Sequence, residues 1–302
     1  MNDAARLTGM VGSLLPQLPE ARADALVLLS GASREPVMVR GVPSFAPRFA
    51  DESYSGFNTE QIEAMVALQN GNFYWEGRNA LIAWAVRAYF PGARRVLDVG
   101  CGTGYVTEAI ANALPKAYIY GSDVFTDCIQ HAQRRMAGRA FLMHLDAEDL
   151  PFTHCFDLVT SFDVLEHIAH DEAALAQLAR SLRPGGGMLH IVPQHPWLWC
   201  PADTAAGHER RYRVGEIRHK IEALGLRVIA DTSLMSFLLP AMAASRWYSR
   251  LRNSYNFDQE YAISPWLNRF MGHVLGLEVA TIKAGARWPL GGSRMIAAVM
   301  DR

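Results

Sequence analysis

One stretch of the sequence, VLDVGCGTGY at residues 96–105, restricts the fold more than any other. Its first four residues predict a short buried strand, and a helix is predicted to begin at Tyr105. Three glycines at alternate positions join the two elements, and glycine allows tight turns and a close approach of the backbone to a ligand. The free N–H groups of the helix start add donors. The stretch therefore predicts a ligand-binding turn at the end of a strand.

This turn differs from the common phosphate-binding loops. A dinucleotide fingerprint requires G-x-G-x-x-G, whereas Gly100, Gly102 and Gly104 give G-x-G-x-G with tyrosine next. No Gly-Lys-Ser/Thr follows, so the P-loop pattern is absent from the sequence as well. Asp98 would repel a pyrophosphate and suits a ligand that carries a cationic amine.

Short apolar strands alternate with helices along the rest of the chain. Strands are predicted at 96–99, 117–122, 141–145, 158–162, 188–192, 226–230 and 295–300. Helices are predicted at 76–90, 105–113, 126–136, 172–182 and 214–223. This alternation is typical of an α/β fold with a mostly parallel, doubly wound sheet that carries helices on both faces.

Three regions are expected. Residues 1–75 form an irregular or helical N-terminal extension, because turn-rich text and two prolines interrupt any periodicity there. Residues 76–231 and 293–302 form the sheet domain. Residues 232–292 form a helical insertion that is too long for a simple connection, and we expect it to cap a substrate pocket.

Composition excludes several classes of protein. The 302 residues are 50% hydrophobic with a net charge of -1, which excludes general disorder and argues against nucleic acid as a partner. Four scattered cysteines argue against a disulfide scaffold and fit the cytoplasm, as does the lack of a signal-peptide pattern. No apolar run reaches about 18 residues. Membrane contact through the stretch SFLLPAMAASRWYSRLR is a less favoured alternative.

Acidic residues follow the next predicted strands. Asp123 ends the strand AYIYGS, where a carboxylate can accept hydrogen bonds from both hydroxyls of a ribose, and Val124 can pack against a purine. Asp146 follows the third strand, where it can accept a hydrogen bond from the exocyclic amine of the base. Two further motifs are FDLVTSFDVLEHI and LRPGGG.

Together, VLDVGCGTG, GSD, DAEDLPF, FDLVTSFDVLEHI and LRPGGG resemble the class I S-adenosylmethionine-dependent methyltransferases that act on small molecules. The resemblance covers residues 96–192 in order and spacing. It implies a Rossmann-like seven-stranded sheet with one antiparallel strand, and S-adenosylmethionine as cofactor. It also implies the cofactor-binding residues Asp98, Gly100, Cys101, Gly102, Gly104, Asp123, Val124, Asp146, Ala147, Phe162 and Asp163. A looser resemblance of FYWEGRN, residues 73–79, to a segment ahead of the first motif in many bacterial relatives adds Arg78.

The resemblance assigns a role to each of these residues. Asp98 and the turn at 100–104 would hold the methionyl amine and carboxylate, and Arg78 would neutralise that carboxylate. Asp123 would bind the ribose, and Val124 would pack against the adenine face. Asp146 and Ala147 would contact the adenine edge, and Phe162 and Asp163 would flank the methionyl group.

The acceptor side is less determined. An O or N acceptor needs a general base, for which His195 is the first candidate and His167 and His208 follow. Lipid-linked, sugar-linked and secondary-metabolite acceptors all remain open, and so does the oligomeric state. Arg210, Arg211 or Tyr212 is a candidate for gating the pocket or for binding an anionic group of the substrate.

Three alternatives stay open. Asp163, Glu166, His167 and His195 resemble an E-x-x-E-H cluster with a later ligand that binds a divalent metal in one branch of the superfamily. The same D-V-L-E-H text is common in relatives without a metal, and we expect no metal here. The other two are a dinucleotide-dependent oxidoreductase and a non-catalytic cofactor-binding partner subunit.

Overall fold

The computed structural model describes residues 19–49, 59–252 and 263–301, together with residues 8, 9 and 11. The described strands are β1 (Val37–Val39), β2 (Val42–Ser44), β3 (Arg95–Val99), β4 (Tyr118–Asp123), β5 (Ala140–His144), β6 (Phe156–Phe162), β7 (Leu182–Pro193), β8 (Leu226–Leu234) and β9 (Ser293–Met300). The longer described helices are α1 (Pro19–Ser30), α2 (Thr59–Gln69), α3 (Phe73–Tyr89), α4 (Tyr105–Ala113), α5 (Thr126–Met136), α6 (Asp171–Ser181), α7 (Pro201–Ala205), α8 (Glu216–Ala223), α9 (Leu239–Arg252) and α10 (Pro265–Lys283).

One mixed sheet contains all of these strands, in the order β1-β2-β5-β4-β3-β6-β7-β9-β8. The run from β2 to β7 is parallel, and β9 is antiparallel to both β7 and β8. The predicted seven strands and the predicted antiparallel strand are therefore confirmed. The register sets Asp98 beside Gly121 on one side and Thr160 on the other, so the carboxyl ends of the central strands form one edge.

Helices cover both faces of the sheet, as the alternating pattern predicts. One apolar core contains Leu81 of α3, Ile110 of α4 and Ile129 of α5. The other contains Leu28 of α1 and Leu175 of α6, along with residues of α8. Burial of apolar surface on both faces explains why the strands are continuously apolar.

The N-terminal region adds two strands that the sequence analysis does not predict. The hairpin of β1 and β2 extends the sheet beyond β5, where Ser44 pairs with His144. The Ser44 hydroxyl also lies 2.7 Å from the His144 Nδ1 atom inside the core. Three-residue strands are too short to show the alternation that identifies a strand, which is why this region is predicted as irregular or helical.

Two helices, α9 and α10, occupy most of the described part of the predicted insertion, whose first residues continue β8. Residues 253–262 of the insertion lie outside the described residues. α10 packs closely against α3, because a Cβ atom at Gly77 would lie 2.4 Å from the Leu275 Cδ2 atom. None of the described helices has the length and apolar character required to cross a membrane.

Several element boundaries differ from the prediction, and strand pairing explains two of the differences. β7 begins at Leu182 and includes the LRPGGG stretch, which we expected to end the preceding helix. Leu182 pairs with Phe156 before a shift in register, so the glycines lie within an irregular part of the strand. β8 continues to Leu234 because its pairing with β9 extends to Ser293.

Candidate active site

A cavity of about 1250 Å³ opens at the carboxyl ends of β3, β4, β5 and β6. Ligands of open parallel sheets bind in this position, outside the strand ends. All twelve predicted cofactor-binding residues except Gly104 line it. The sequence motifs therefore converge on one cavity, as the predicted parallel sheet requires.

Two glycines of the turn adopt conformations that most other residues avoid, and the space beside Gly102 is open to a ligand. Gly100 has a φ of 70°, and a Cβ atom there would lie 2.3 Å from the Val164 Cγ2 atom. Gly102 has a φ of 54° and open space where a Cβ atom would stand. Cys101 is buried between them, and burial raises the pKa of its thiol well above the usual range, so it remains a protonated, small apolar group.

Asp98 provides a buried carboxylate directly below the turn. Its two oxygens accept hydrogen bonds from the Thr107 hydroxyl at 2.7 Å and the Thr160 hydroxyl at 2.8 Å. Burial raises the pKa of Asp98 to about 6, against the opposing effect of these hydrogen bonds. A neighbouring cation would stabilise the charged form, which fits the predicted contact with an amine.

Asp123 supports the turn from the end of β4. Its Oδ2 atom accepts a hydrogen bond from the Gly102 N–H at 2.8 Å, and its Oδ1 atom accepts one from the Phe125 N–H at 2.9 Å. Burial raises its pKa to about 6. Each carboxylate oxygen has a second lone pair, so the group that fixes the turn can also accept hydrogen bonds from a ligand. Val124 lies beside it on the cavity wall.

Asp146 is held by a residue that the sequence analysis missed. The Arg48 Nη2 atom lies 2.5 Å from the Asp146 Oδ2 atom, and the Asp146 Oδ1 atom accepts a hydrogen bond from the Glu148 N–H at 2.9 Å. Arg48 is distant in sequence and stands in turn-rich text, so no local pattern indicates this contact. Ala147 lines the cavity next to Asp146, as expected for the predicted adenine edge.

Arg78, predicted to neutralise the cofactor carboxylate, and Asp163, predicted to flank the methionyl group, contact each other directly. The Arg78 guanidinium is buried and donates a hydrogen bond to the Asp163 carboxylate. Asp163 has a φ of 56°, which directs the chain out of β6 immediately after Phe162. Both members of this ion pair line the cavity, so a carboxylate ligand would have to share Arg78 with Asp163.

Two of the three candidate bases lie together in the cavity, and the third lies apart. His167 and His208 line the cavity, and their rings meet edge to face with centroids 4.7 Å apart. His195 is absent from the described lining and packs against Trp197 instead, with centroids 5.4 Å apart. Its position after β7 suggested the acceptor pocket, but a φ of 67° at His195 turns the chain aside. His195 therefore lies apart from the other two candidates, and its role as the general base stays a prediction.

Glu166 is a cavity residue that the sequence analysis treated only as part of a metal alternative. Its side chain is fully buried, and neither carboxylate oxygen has a hydrogen-bond partner among the described residues. Burial raises its pKa to about 8. Burial likewise lowers the pKa of neighbouring His167 to about 3, with a further contribution from His208, so that imidazole is neutral at physiological pH.

The predicted gating residues have structural partners. Arg211 donates hydrogen bonds to the Asp203 carboxylate at 2.6 and 2.9 Å, and it lines the cavity. Arg210 donates to backbone carbonyls after β6, and the Tyr212 hydroxyl donates to Asp171 at 2.8 Å. These contacts hold the segment in place, which argues against a gate at Arg210 or Tyr212.

The insertion and the N-terminal region supply most of the apolar lining of the cavity. These apolar residues are Ile62, Met65, Met235, Leu238, Met242, Ile263, Leu267 and Met271. Flexible methionine side chains adapt to irregular apolar ligands. Polar lining residues from the same regions, such as Gln69 and Arg246, interrupt this apolar surface.

The residues present fit S-adenosylmethionine. Asp98 suits its amine, the open space at Gly102 admits its chain, and Asp123 and Asp146 can accept hydrogen bonds from ribose hydroxyls and the adenine amine. The three carboxylates lie at neighbouring strands in the same order as the groups of the cofactor. Asp98 corresponds to the amine, Asp123 to the ribose and Asp146 to the base. The site is therefore chemically suited to the cofactor along its whole length.

Comparisons with known proteins find similarity to methyltransferases. Residues 96–186 match the family described as a methyltransferase domain. The ubiquinone/menaquinone biosynthesis C-methyltransferase of Desulfotalea psychrophila is 34% identical over 152 residues, which are 49% of this chain and 58% of that protein. The trans-aconitate 2-methyltransferase of Methylobacterium nodulans is 36% identical over 105 residues, 33% of this chain and 39% of that protein.

Among solved structures, the phosphoethanolamine N-methyltransferase 2 of Haemonchus contortus in complex with S-adenosylmethionine is similar, with a TM-score of 0.56 at 19% identity. The match covers 84% of this chain and 60% of that one, and it establishes the likeness of fold. The chain spans less than two thirds of each of these three proteins.

Proposed function

We propose that this chain, a class I S-adenosylmethionine-dependent methyltransferase by its domain at residues 96–186, methylates an oxygen or nitrogen atom of a small molecule. The observation that carries the proposal is the series Asp98, Asp123 and Asp146, which border one cavity around an open glycine turn. When bound, the cofactor supplies an activated methyl group on a positively charged sulfur.

The polar residues of the cavity bind and orient the reactants. Asp98 and Asp123 fix two ends of the cofactor site, since both are held by hydrogen bonds to rigid elements of the sheet edge. Orientation of this kind can lower a barrier by about 7–11 kcal/mol. We expect the acceptor atom to lie beside the polar cluster of Glu166, His167 and His208, which lines the same cavity.

The apolar lining of the cavity selects the acceptor and excludes water. Leu238, directly before α9, Met242 on α9, and Leu267 and Met271 on α10 line the cavity. We propose that residues 232–292 act as the substrate cap, in keeping with this lining. The acceptor then carries an apolar portion beside the atom that is methylated, because these apolar side chains would otherwise face water.

Calorimetry with the full chain tests the cofactor site. We expect uptake of one S-adenosylhomocysteine per chain and no uptake of NAD or NADP. Binding of a dinucleotide in place of S-adenosylhomocysteine would establish the oxidoreductase alternative and overturn the proposal.

A methyl-transfer screen tests the acceptor. Labelled S-adenosylmethionine is combined with small acceptors that differ in apolar area, and with phosphoethanolamine and trans-aconitate, which two of the relatives' names suggest. We expect turnover to rise with apolar area. Cofactor binding without turnover on every acceptor, together with a co-purifying active subunit, would support the non-catalytic alternative.

A further inference from the structure

We propose that Glu166, His167 and His208 bind one divalent transition-metal ion in the cavity. One ligand atom from each residue lies within 4.8 Å of the other two, a separation that a single ion can bridge. All three residues line the cavity. Glu166 and His167 are adjacent after β6, and His208 comes from the segment after α7, so the fold assembles the group from two separate parts of the chain.

The Glu166 carboxyl supplies the first argument for a cation. It is fully buried and neither oxygen has a hydrogen-bond partner among the described residues. The neighbouring carboxylates differ in this respect, because Asp163 pairs with Arg78 and Asp203 pairs with Arg211. A buried carboxylate without a partner is costly, and a bound cation removes that cost.

The surroundings of the imidazoles supply an independent argument. The His208 Nδ1 atom lies 3.1 Å from the Asp203 Oδ1 atom. Asp203 is itself fixed by Arg211 at 2.6 Å and by the Cys200 N–H at 2.8 Å. Metal-binding histidines typically direct one ring nitrogen at a carboxylate or backbone carbonyl, which orients the ring and makes the other nitrogen a better ligand.

Two imidazole nitrogens and one carboxylate oxygen suit zinc, cobalt, nickel, iron or manganese better than magnesium or calcium, which prefer oxygen ligands. Three protein ligands leave positions open toward the cavity, where an oxygen or nitrogen atom of the acceptor can bind. This role rests on the proposed function, whereas the metal site itself does not. This set of ligands differs from the metal alternative considered from the sequence. Asp163 is paired with Arg78 instead, and His195 does not line the cavity.

Metal titration of the full chain tests the proposal. Protein stripped by a chelator and dialysed is titrated with Zn²⁺ in a calorimeter and with Co²⁺ under visible absorption, which reports the ligand field. We expect one ion per chain. Glu166→Gln and His208→Asn should each weaken binding about 10-fold or more. His170→Asn serves as the matched control, because His170 is exposed and lies three residues from His167.

The variants must be shown to be folded by circular dichroism and by binding of S-adenosylhomocysteine. Glu166→Gln keeps the size of the buried side chain and should fold. If folded wild type binds no ion, or if both variants bind Zn²⁺ as tightly as wild type, the metal site is refuted. Retained binding of S-adenosylhomocysteine in that case leaves the proposed function intact, so the two failures are distinguishable.

Discussion

Replacing Asp123 by asparagine tests whether one carboxylate both builds the glycine turn and binds the cofactor. In the structure its two oxygens accept separate hydrogen bonds from the Gly102 and Phe125 N–H groups. Asparagine has the same shape but only one acceptor oxygen, and its amide group must face one of these N–H donors or a ribose hydroxyl. The variant therefore loses at least one charge-assisted hydrogen bond in a buried place.

The expected loss follows from that count. A hydrogen bond to a charged group contributes about 1.5–3 kcal/mol. Since about 1.4 kcal/mol changes an affinity tenfold, Asp123→Asn should bind S-adenosylhomocysteine roughly 10- to 100-fold more weakly. Burial raises the pKa of Asp123 to about 6, so the wild-type carboxyl is charged above that pH and neutral below it. The difference between wild type and variant should therefore be large at about pH 8 and shrink at about pH 5.

Calorimetric titration with S-adenosylhomocysteine at both pH values measures the effect. Asp149→Asn is the control, because Asp149 is 57% exposed and paired with Arg34 on the surface. Thermal unfolding confirms that each variant is folded. Equal affinities of wild type and a folded Asp123→Asn at the higher pH would refute the reasoning, and so would a difference that does not depend on pH.

Three other perturbations address the same cavity. Gly100→Ala should lower the melting temperature and weaken S-adenosylhomocysteine binding more than about tenfold, because its methyl group would meet Val164 at a positive φ; unchanged binding would contradict this. Arg48→Ala should weaken cofactor binding only a few-fold in the same titration, since the Arg48 side chain that pairs with Asp146 is 65% exposed, and a larger loss would show a direct contact. Affinity for S-adenosylmethionine should fall by up to about tenfold per pH unit below pH 6, where Asp98 gains a proton, and a flat profile down to about pH 5 would exclude Asp98 as the amine-binding group.

Local pattern explains which parts of the fold could be predicted from the sequence. The turn at 100–104 and the helix from Tyr105 to Ala113 are encoded by neighbouring residues, and the structure gives the helix the predicted bounds. The helix from Thr126 to Met136 also has the predicted bounds, because its apolar residues recur at helical spacing. Elements of this kind can be predicted without information about contacts between distant residues.

Contacts between distant segments explain what could not be predicted. Arg48 reaches Asp146 only because a two-strand hairpin pairs with β5, and strands of three residues carry no periodic signal. His208 joins Glu166 through the folding of the segment after β7, whereas His195 was favoured by its position at a strand end. The sequence motifs identified the strand edge where the site lies. They could not show which of the candidate bases His167, His195 and His208 line the cavity, because these residues lie in different loops.

The apolar lining of the cavity has a consequence for any attempt to shorten this protein. Residues 96–186 carry the family match, but Ile62 and Met65 come from before that region and Leu267 and Met271 from after it. A fragment cut to the matching region would keep Asp98, Asp123 and Asp146 and lose these apolar side chains. Under the proposed function, the residues that select the acceptor therefore lie in sequence that the family match does not cover.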